Sequence, residues 1–208
     1  MKTSIIMKRL SLALVFVCLT LTAFAQSSIK VNYKGAKPTV VDFAMAAFTD
    51  FNADDGEPGD RPWRGVEQAL TRYRKGFPQE KGVKLTVDLK NGYILYEQDY
   101  DEDDYFCRME ICYWNESDGK HKLVAFNNTE TFAEGRPVST ETHGLTFLRY
   151  NNATKRMVWS DAPGFRVEYL GTTYSLPRQG KDIVVTKWDD NGTPSRKTLK
   201  WNGKRFSY

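Results

Sequence analysis

Carboxylates at alternate positions offer the first chemistry in this chain. Asp99, Asp101 and Asp103, followed by Glu110, occupy positions 1, 3, 5 and 12 of a calcium-loop template. Position 6 is Asp104, where that loop needs glycine for its sharp turn, and the flanks alternate like strands rather than helices. An EF-hand is thereby excluded. A less regular Ca2+ site on Asp99, Asp101 and Asp103 is the metal chemistry that the run still admits. Asp54 and Asp55, with Glu57 and Asp60 in a loop rich in Gly and Pro, form a second candidate of the same kind. Turn formation and solvation account for both groups equally well. No other cofactor is expected.

Nucleophilic and zinc chemistry find less support. His121 and His143 are the two histidines, and neither H-x-x-x-H nor C-x-x-C occurs. Cys112 with either histidine could form a thiol–imidazole pair, but a cysteine inside an apolar strand is ordinarily packing. The chain has no G-x-S-x-G, P-loop or G-x-G-x-x-G. No catalytic residue is assigned, and the reading leans away from an enzyme. Paired carboxylates for glycoside hydrolysis stay open, because their separation is set by the fold. Among the tryptophans, Trp114, Trp159 and Trp188 are the candidates for stacking on a sugar or another ligand.

These residues must be positioned by a β-rich scaffold. Leu85, Val87 and Leu89 alternate with polar residues, and Asn91-Gly92 follows as a hairpin signal. A two-residue turn there predicts Leu89 opposite Ile94 and Val87 opposite Tyr96. In the strand at about 105–114, Cys107, Met109, Ile111 and Tyr113 share one face. Phe106, Arg108, Glu110, Cys112 and Trp114 share the other. Neither face is cleanly polar, so both should be covered. Further strands are expected at 145–150, 156–160, 165–170, 182–188, 196–201 and 204–208, the last two pairing Leu199 with Phe206.

Two helices precede the strands. Thr39 and Asp42 have the form of a capping box, and Val40, Ala44, Ala47, Phe48 and Phe51 follow at helical spacing. A membrane-surface helix would need a Lys/Arg-rich polar face, which this one lacks. The second helix is expected to start at Asp60 with Pro62 in its first turn. Its stripe is Trp63, Val66, Leu70, Tyr73 and Phe77, and Gly76 and Pro78 end it. The fold class is therefore α+β: two N-terminal helices packed on a mostly antiparallel, meander-like β-sheet of about eight or nine strands. An outer-membrane barrel fits poorly, since the strands are shorter than the ~9–11 residues needed and the helices have no place in it.

The first 25 residues read as a cleavable signal peptide. Lys2, Lys8 and Arg9 precede the apolar run 10–21, and Ala23-Phe24-Ala25 forms the cleavage site before Gln26. The run falls short of a spanning helix, so the mature chain is not integral to a membrane. Residues 26–208 then form a single α+β domain that is secreted or periplasmic. Cleavage lowers the formal charge from +4 to +1, which removes the case for a nucleic-acid partner. Cys107 and Cys112 would remain. Five residues along one strand span roughly 16 Å, and a disulfide needs Cα atoms within about 7 Å. Two separate thiols are expected.

The export signal ending Ala23-Phe24-Ala25-Gln26 and the closing Trp201-Asn202-Gly203-Lys204-Arg205-Phe206 resemble those of uncharacterised small secreted or periplasmic bacterial β-meander proteins. The resemblance implies the same hairpin ending and carries no activity and no functional residue. The charge is unevenly spread: residues 61–90 hold eight basic and three acidic groups, residues 97–110 seven acidic and one basic. Export, missing catalytic motifs and segregated charge suggest a non-enzymatic binding or accessory protein of the cell envelope. Its partner would be an envelope protein or a polysaccharide. The alternative is a carbohydrate-binding or carbohydrate-hydrolysing protein.

Overall fold

The computed structural model describes residues 28–54, 63–100, 105–132 and 144–208. The signal segment, its cleavage site, Asp60 and Pro62 lie outside them. A seven-stranded antiparallel sheet forms the middle layer. Its strands are β1 (Ser28–Lys30), β2 (Val83–Asp88), β3 (Tyr93–Tyr100), β4 (Tyr105–Asn115), β5 (His121–Phe132), β6 (Leu145–Asn151) and β7 (Arg156–Ser160), in the order β1-β7-β6-β5-β4-β3-β2. Helices α1 (Val40–Asp54) and α2 (Arg64–Lys75) cover one face. A four-stranded sheet covers the other, built from β8 (Thr172–Ser175), β9 (Ile183–Trp188), β10 (Pro194–Trp201) and β11 (Phe206–Ser207).

Strand alternation sorts the side chains between these layers. Ile94, Tyr96, Met109, Ile111, Val124 and Phe126 point to the helices and meet Phe43, Phe48, Val66 and Leu70. Their neighbours Tyr93, Cys112, Trp114, Leu123 and Ala125 point the other way, to Tyr174, Ile183, Val185, Leu199 and Phe206. The expectation that both faces of β4 are covered is met. Among the described residues eleven strands form, against the eight or nine expected. β1 is a three-residue edge strand hidden in the lead-in, and β8 follows Gly171 in a segment with no alternation to mark it.

Two hairpin registers differ from expectation in the same way. Val87 faces Ile94 and Leu85 faces Tyr96, around a four-residue turn, 89–92. Asp88 closes it by accepting from Asn91 N at 3.1 Å and from its Nδ2 at 2.8 Å. Leu89 is left 51% exposed instead of paired. At the last hairpin Trp201, not Leu199, faces Phe206. Asn202 Oδ1 there accepts from Lys204 and Arg205 N–H. In each case an Asx side chain lengthens the turn by satisfying backbone donors. A shift of two residues keeps every side chain on its face, so the core composition survives the error.

The capping box of α1 is present: Thr39 N and Oγ1 both donate to Asp42 Oδ2 at 2.7 Å. α2 begins later than expected, with Trp63 at its N-cap and no side-chain capping bond; the expected cap, Asp60, lies outside the described residues. Gly76 ends it with φ of 70°, which glycine adopts without steric cost. Tyr73 and Phe77 run past the sheet and are exposed. The expected strand at 165–170 is irregular. Its backbone turns to a side chain instead of a ladder: the Tyr174 hydroxyl accepts from Glu168 N at 2.8 Å and donates to Glu168 O at 3.1 Å.

Cys107 and Cys112 are separate free thiols, as the extended spacing requires. Cys107 donates to Asn128 Oδ1 at 3.3 Å. Burial pushes the Cys112 thiol well above its ordinary pKa, and Glu110 adds to the shift. Thiol titration of residues 26–208 should therefore find two reactive groups in denaturant and none at Cys112 in the folded protein. Finding no free thiol in denaturant would refute this arrangement.

Candidate functional site

The candidate carboxylates do not assemble a calcium loop. Asp99 is exposed near the end of β3, opposite Phe106 of β4. Asp55, Asp101 and Asp103 lie outside the described residues, and Asp54 is the last residue of α1. Glu110 is not available to a cation. It is 3% exposed, faces the four-stranded sheet and is engaged through both oxygens. Sequence spacing placed it at a ligand position, whereas strand parity turns it inward.

Among the described residues, Glu116, Asp118 and His121 bring ligand atoms within 4.8 Å of one another in the β4–β5 turn. A cation is already there. Arg149 Nε and Nη2 grip Glu116 at 2.7 and 2.6 Å, and Nη2 lies 3.6 Å from Asp118. His121 Nδ1 lies 2.6 Å from Asp118 Oδ2, and its other nitrogen is 3.0 Å from Asn151 Nδ2. The Asp118 carboxyl is held down at about 2, first by the His121 hydrogen bond and then by the Lys120 N–H. This is a hydrogen-bonded clasp, with Arg149 as its cation, that ties the β4–β5 turn to β6. His143 lies outside the described residues. Cys112 sits in the second core, away from this turn, and its protonated thiol is no nucleophile.

The three candidate tryptophans part company. Trp114 is buried, donates Nε1 to Lys181 O at 2.8 Å and packs on Phe206 at 5.2 Å. It holds the two sheets together and presents no ligand platform. Trp188 is half-buried on β9, and its Nε1 is buried without a hydrogen-bond partner. Trp159, near the end of β7, stacks on Phe51 of α1 at 5.0 Å and 22° and is 40% exposed.

Trp159 lines a groove of about 1120 Å³ with Leu145, Phe147, Asp161, Phe165 and Arg166. The groove runs from the ends of β6 and β7 to the irregular segment 161–170. That segment is fixed at both ends: Pro163 O accepts from Phe206 N at 2.8 Å, and Tyr174 holds Glu168. Thr146, also on its wall, has a buried hydroxyl with no partner. The wall mixes rings, a cation, a carboxylate and hydroxyls, which suits an amphipathic ligand. Glu168 is tied to Lys187. The sequence flagged Trp159 but missed the segment opposite it. Its Asp161–Gly164 turn signal was legible; its refusal to pair was not.

Comparisons with protein-family models, curated proteins and solved structures gave no match, so residues and geometry carry the functional reading.

Proposed function

We propose that this chain is an exported, non-enzymatic binding protein of the bacterial cell envelope, and that its ligand sits in the groove beside Trp159. The observation that carries this reading is the groove itself, with an aromatic ring braced from behind by Phe51 and polar groups along the opposite wall. The titratable clusters among the described residues favour binding over catalysis. Glu110 is saturated with donors, and Glu116, Asp118 and His121 are clasped by Arg149. The segment at 1–25 supports export, and the hairpin ending resembles small secreted proteins.

A polysaccharide is the ligand class that the Trp159 ring favours over a protein partner, because a half-exposed indole among hydroxyl and charged groups stacks on a sugar ring. Immobilised protein should retain envelope polysaccharide, and Trp159→Ala should weaken retention about tenfold, the loss of about 1.4 kcal/mol. Trp159→Phe, which keeps the packing on Phe51, should lie between. Retention unchanged in both variants would remove the groove from the proposal. Retention of a protein instead of polysaccharide, with the same Trp159 dependence, would keep the groove and change its ligand.

A further inference from the structure

At the edge of the seven-stranded sheet away from the groove, α2 and strands β2 and β3 enclose a second cavity, of about 250 Å³. Arg64, Gln68 and Arg72 follow one another at four-residue spacing along α2 and line its helical wall. Gly65 lies beside them. Its backbone is helical, so no turn demands glycine there. A Cβ at that position would stand 2.6 Å from the Tyr96 hydroxyl and 3.1 Å from Gln98 Oε1. The missing side chain admits two polar groups of β3 to the cavity wall, where the Tyr96 hydroxyl donates to Gln98 Oε1.

Two further observations point to a ligand. Gln79, also on the wall, donates Nε2 to Ala69 O at 3.2 Å. A carbonyl only accepts, so the amide cannot be reversed, and its Oε1 is left buried with no hydrogen-bond partner. A buried acceptor on a cavity wall calls for a donor from whatever fills the cavity. Arg72, in turn, is fixed by the chain that follows its helix: Nε donates to Pro78 O at 2.7 Å and Nη1 to Glu80 at 3.3 Å. Its Nη2 and the Gln68 amide have no partner among the described residues. The guanidinium is therefore held in place with one nitrogen still open.

We propose that this cavity binds a uronic acid, a sugar ring bearing one carboxylate, either free or as the end residue of an acidic polysaccharide. The charged groups on the wall are Arg64, Arg72 and Glu80, a surplus of one positive charge that a single carboxylate balances. A guanidinium fork matches a carboxylate in shape as well as charge. A phosphate dianion would exceed the surplus beside Glu80, and an ammonium group would stand among the arginines. The Gln68 amide and the Tyr96 hydroxyl suit neighbouring sugar hydroxyls, and a hydroxyl is the donor that Gln79 Oε1 lacks. The volume is about eight times the ~30 Å³ share of a water molecule in the liquid, which admits one small molecule and not a length of polymer. The site lies at the opposite sheet edge from Trp159 and does not depend on the groove.

Calorimetric titration of the full chain with D-glucuronate, D-glucose and a galacturonate oligomer tests this site. Glucuronate should bind saturably and at least tenfold more tightly than glucose. Arg72→Gln should weaken it at least tenfold and Gln68→Ala about threefold, while Lys75→Gln, exposed at the end of the same helix, leaves it unchanged. Gln68 is exposed and alanine suits a helix, so that variant folds even if Arg72→Gln, which also loses the tie to Pro78, does not. Binding of the oligomer alone, with the same dependence on Arg72 and Gln68, supports the site and assigns the acid to a chain end. No saturable binding of either acid, equal binding of glucose, or undiminished binding by both variants overturns the proposal. So does loss of glucuronate binding in Trp159→Ala, which would assign the acid to the groove.

Discussion

Replacing Glu110 with alanine should lower the folding free energy by about 3–5 kcal/mol, the range for stripping one partner from a buried ionic network. Its Oε1 accepts from the Tyr93 hydroxyl at 2.7 Å and from Arg108 Nη2 at 3.2 Å. Its Oε2 accepts from Asn127 Nδ2 and from Leu176 N, each at 3.2 Å. Arg108 would keep Glu97 at 2.9 Å and is partly exposed, so it is not stranded. The cost comes from the other three donors, which lose their acceptor in a buried layer. Burial first, and then Glu110, hold the Tyr93 hydroxyl protonated far above its ordinary pKa, so its O–H stays a donor that has lost its acceptor. Urea unfolding measures the loss. Glu97→Gln, on the solvent side of the same arginine, should cost under about 1 kcal/mol. A Glu110→Ala cost as small as that would show that the network adds nothing. Because Leu176 leads from β8 towards β9 and Asn127 also donates to Tyr174 O at 2.9 Å, the damage should appear as faster amide exchange in the four-stranded sheet before the helices.

The inward role of Glu110 shows what was legible in the chain and what was not. Alternation correctly grouped Glu110 with Cys112 and Trp114 on one face of β4, and Met109 with Ile111 on the other. It could not say what would cover the first face. The partners that bury Glu110 come from Asn127 and Leu176, supplied by later strands and a later sheet. No local pattern announces such contacts, so a strand carboxylate was read with the acidic run beside it. The hairpins failed more gently. Asn91-Gly92 and Asn202-Gly203 located both turns, and the two-residue register error left Leu85, Val87, Leu199 and Phe206 on their correct faces.

The same limit governs the tryptophans. Trp114 and Trp159 both sit on strands among apolar neighbours, and type and spacing do not separate them. Trp114 lies on an interior strand beneath the four-stranded sheet, whereas Trp159 lies on β7, which only the three residues of β1 separate from the sheet edge. Exposure follows strand order, a property of the whole topology.

Gly164→Ala should be among the most damaging single-methyl additions to this protein, costing about 3 kcal/mol or more. Two effects combine. The native φ is +94°, outside the range an alanine occupies comfortably, at about 1–3 kcal/mol. The added Cβ would also stand 2.3 Å from Phe206 O and 3.0 Å from Arg205 Cβ. Backbone cannot rotate aside as a side-chain tip can, so relief requires moving the last hairpin, and such overpacking adds about 1–3 kcal/mol. Gly180 provides the control. Its φ is +86° with nothing within 4 Å, so Gly180→Ala should show the conformational cost alone. Equal losses in the two variants would disprove the contact with Phe206. The position also ties stability to binding. Pro163 and Gly164 anchor the segment that walls the groove, and Phe206 fills the core beside Trp114 and Phe147. A Gly164→Ala protein that still folds should therefore retain less polysaccharide while Trp159 itself is untouched, because the wall opposite the ring has moved.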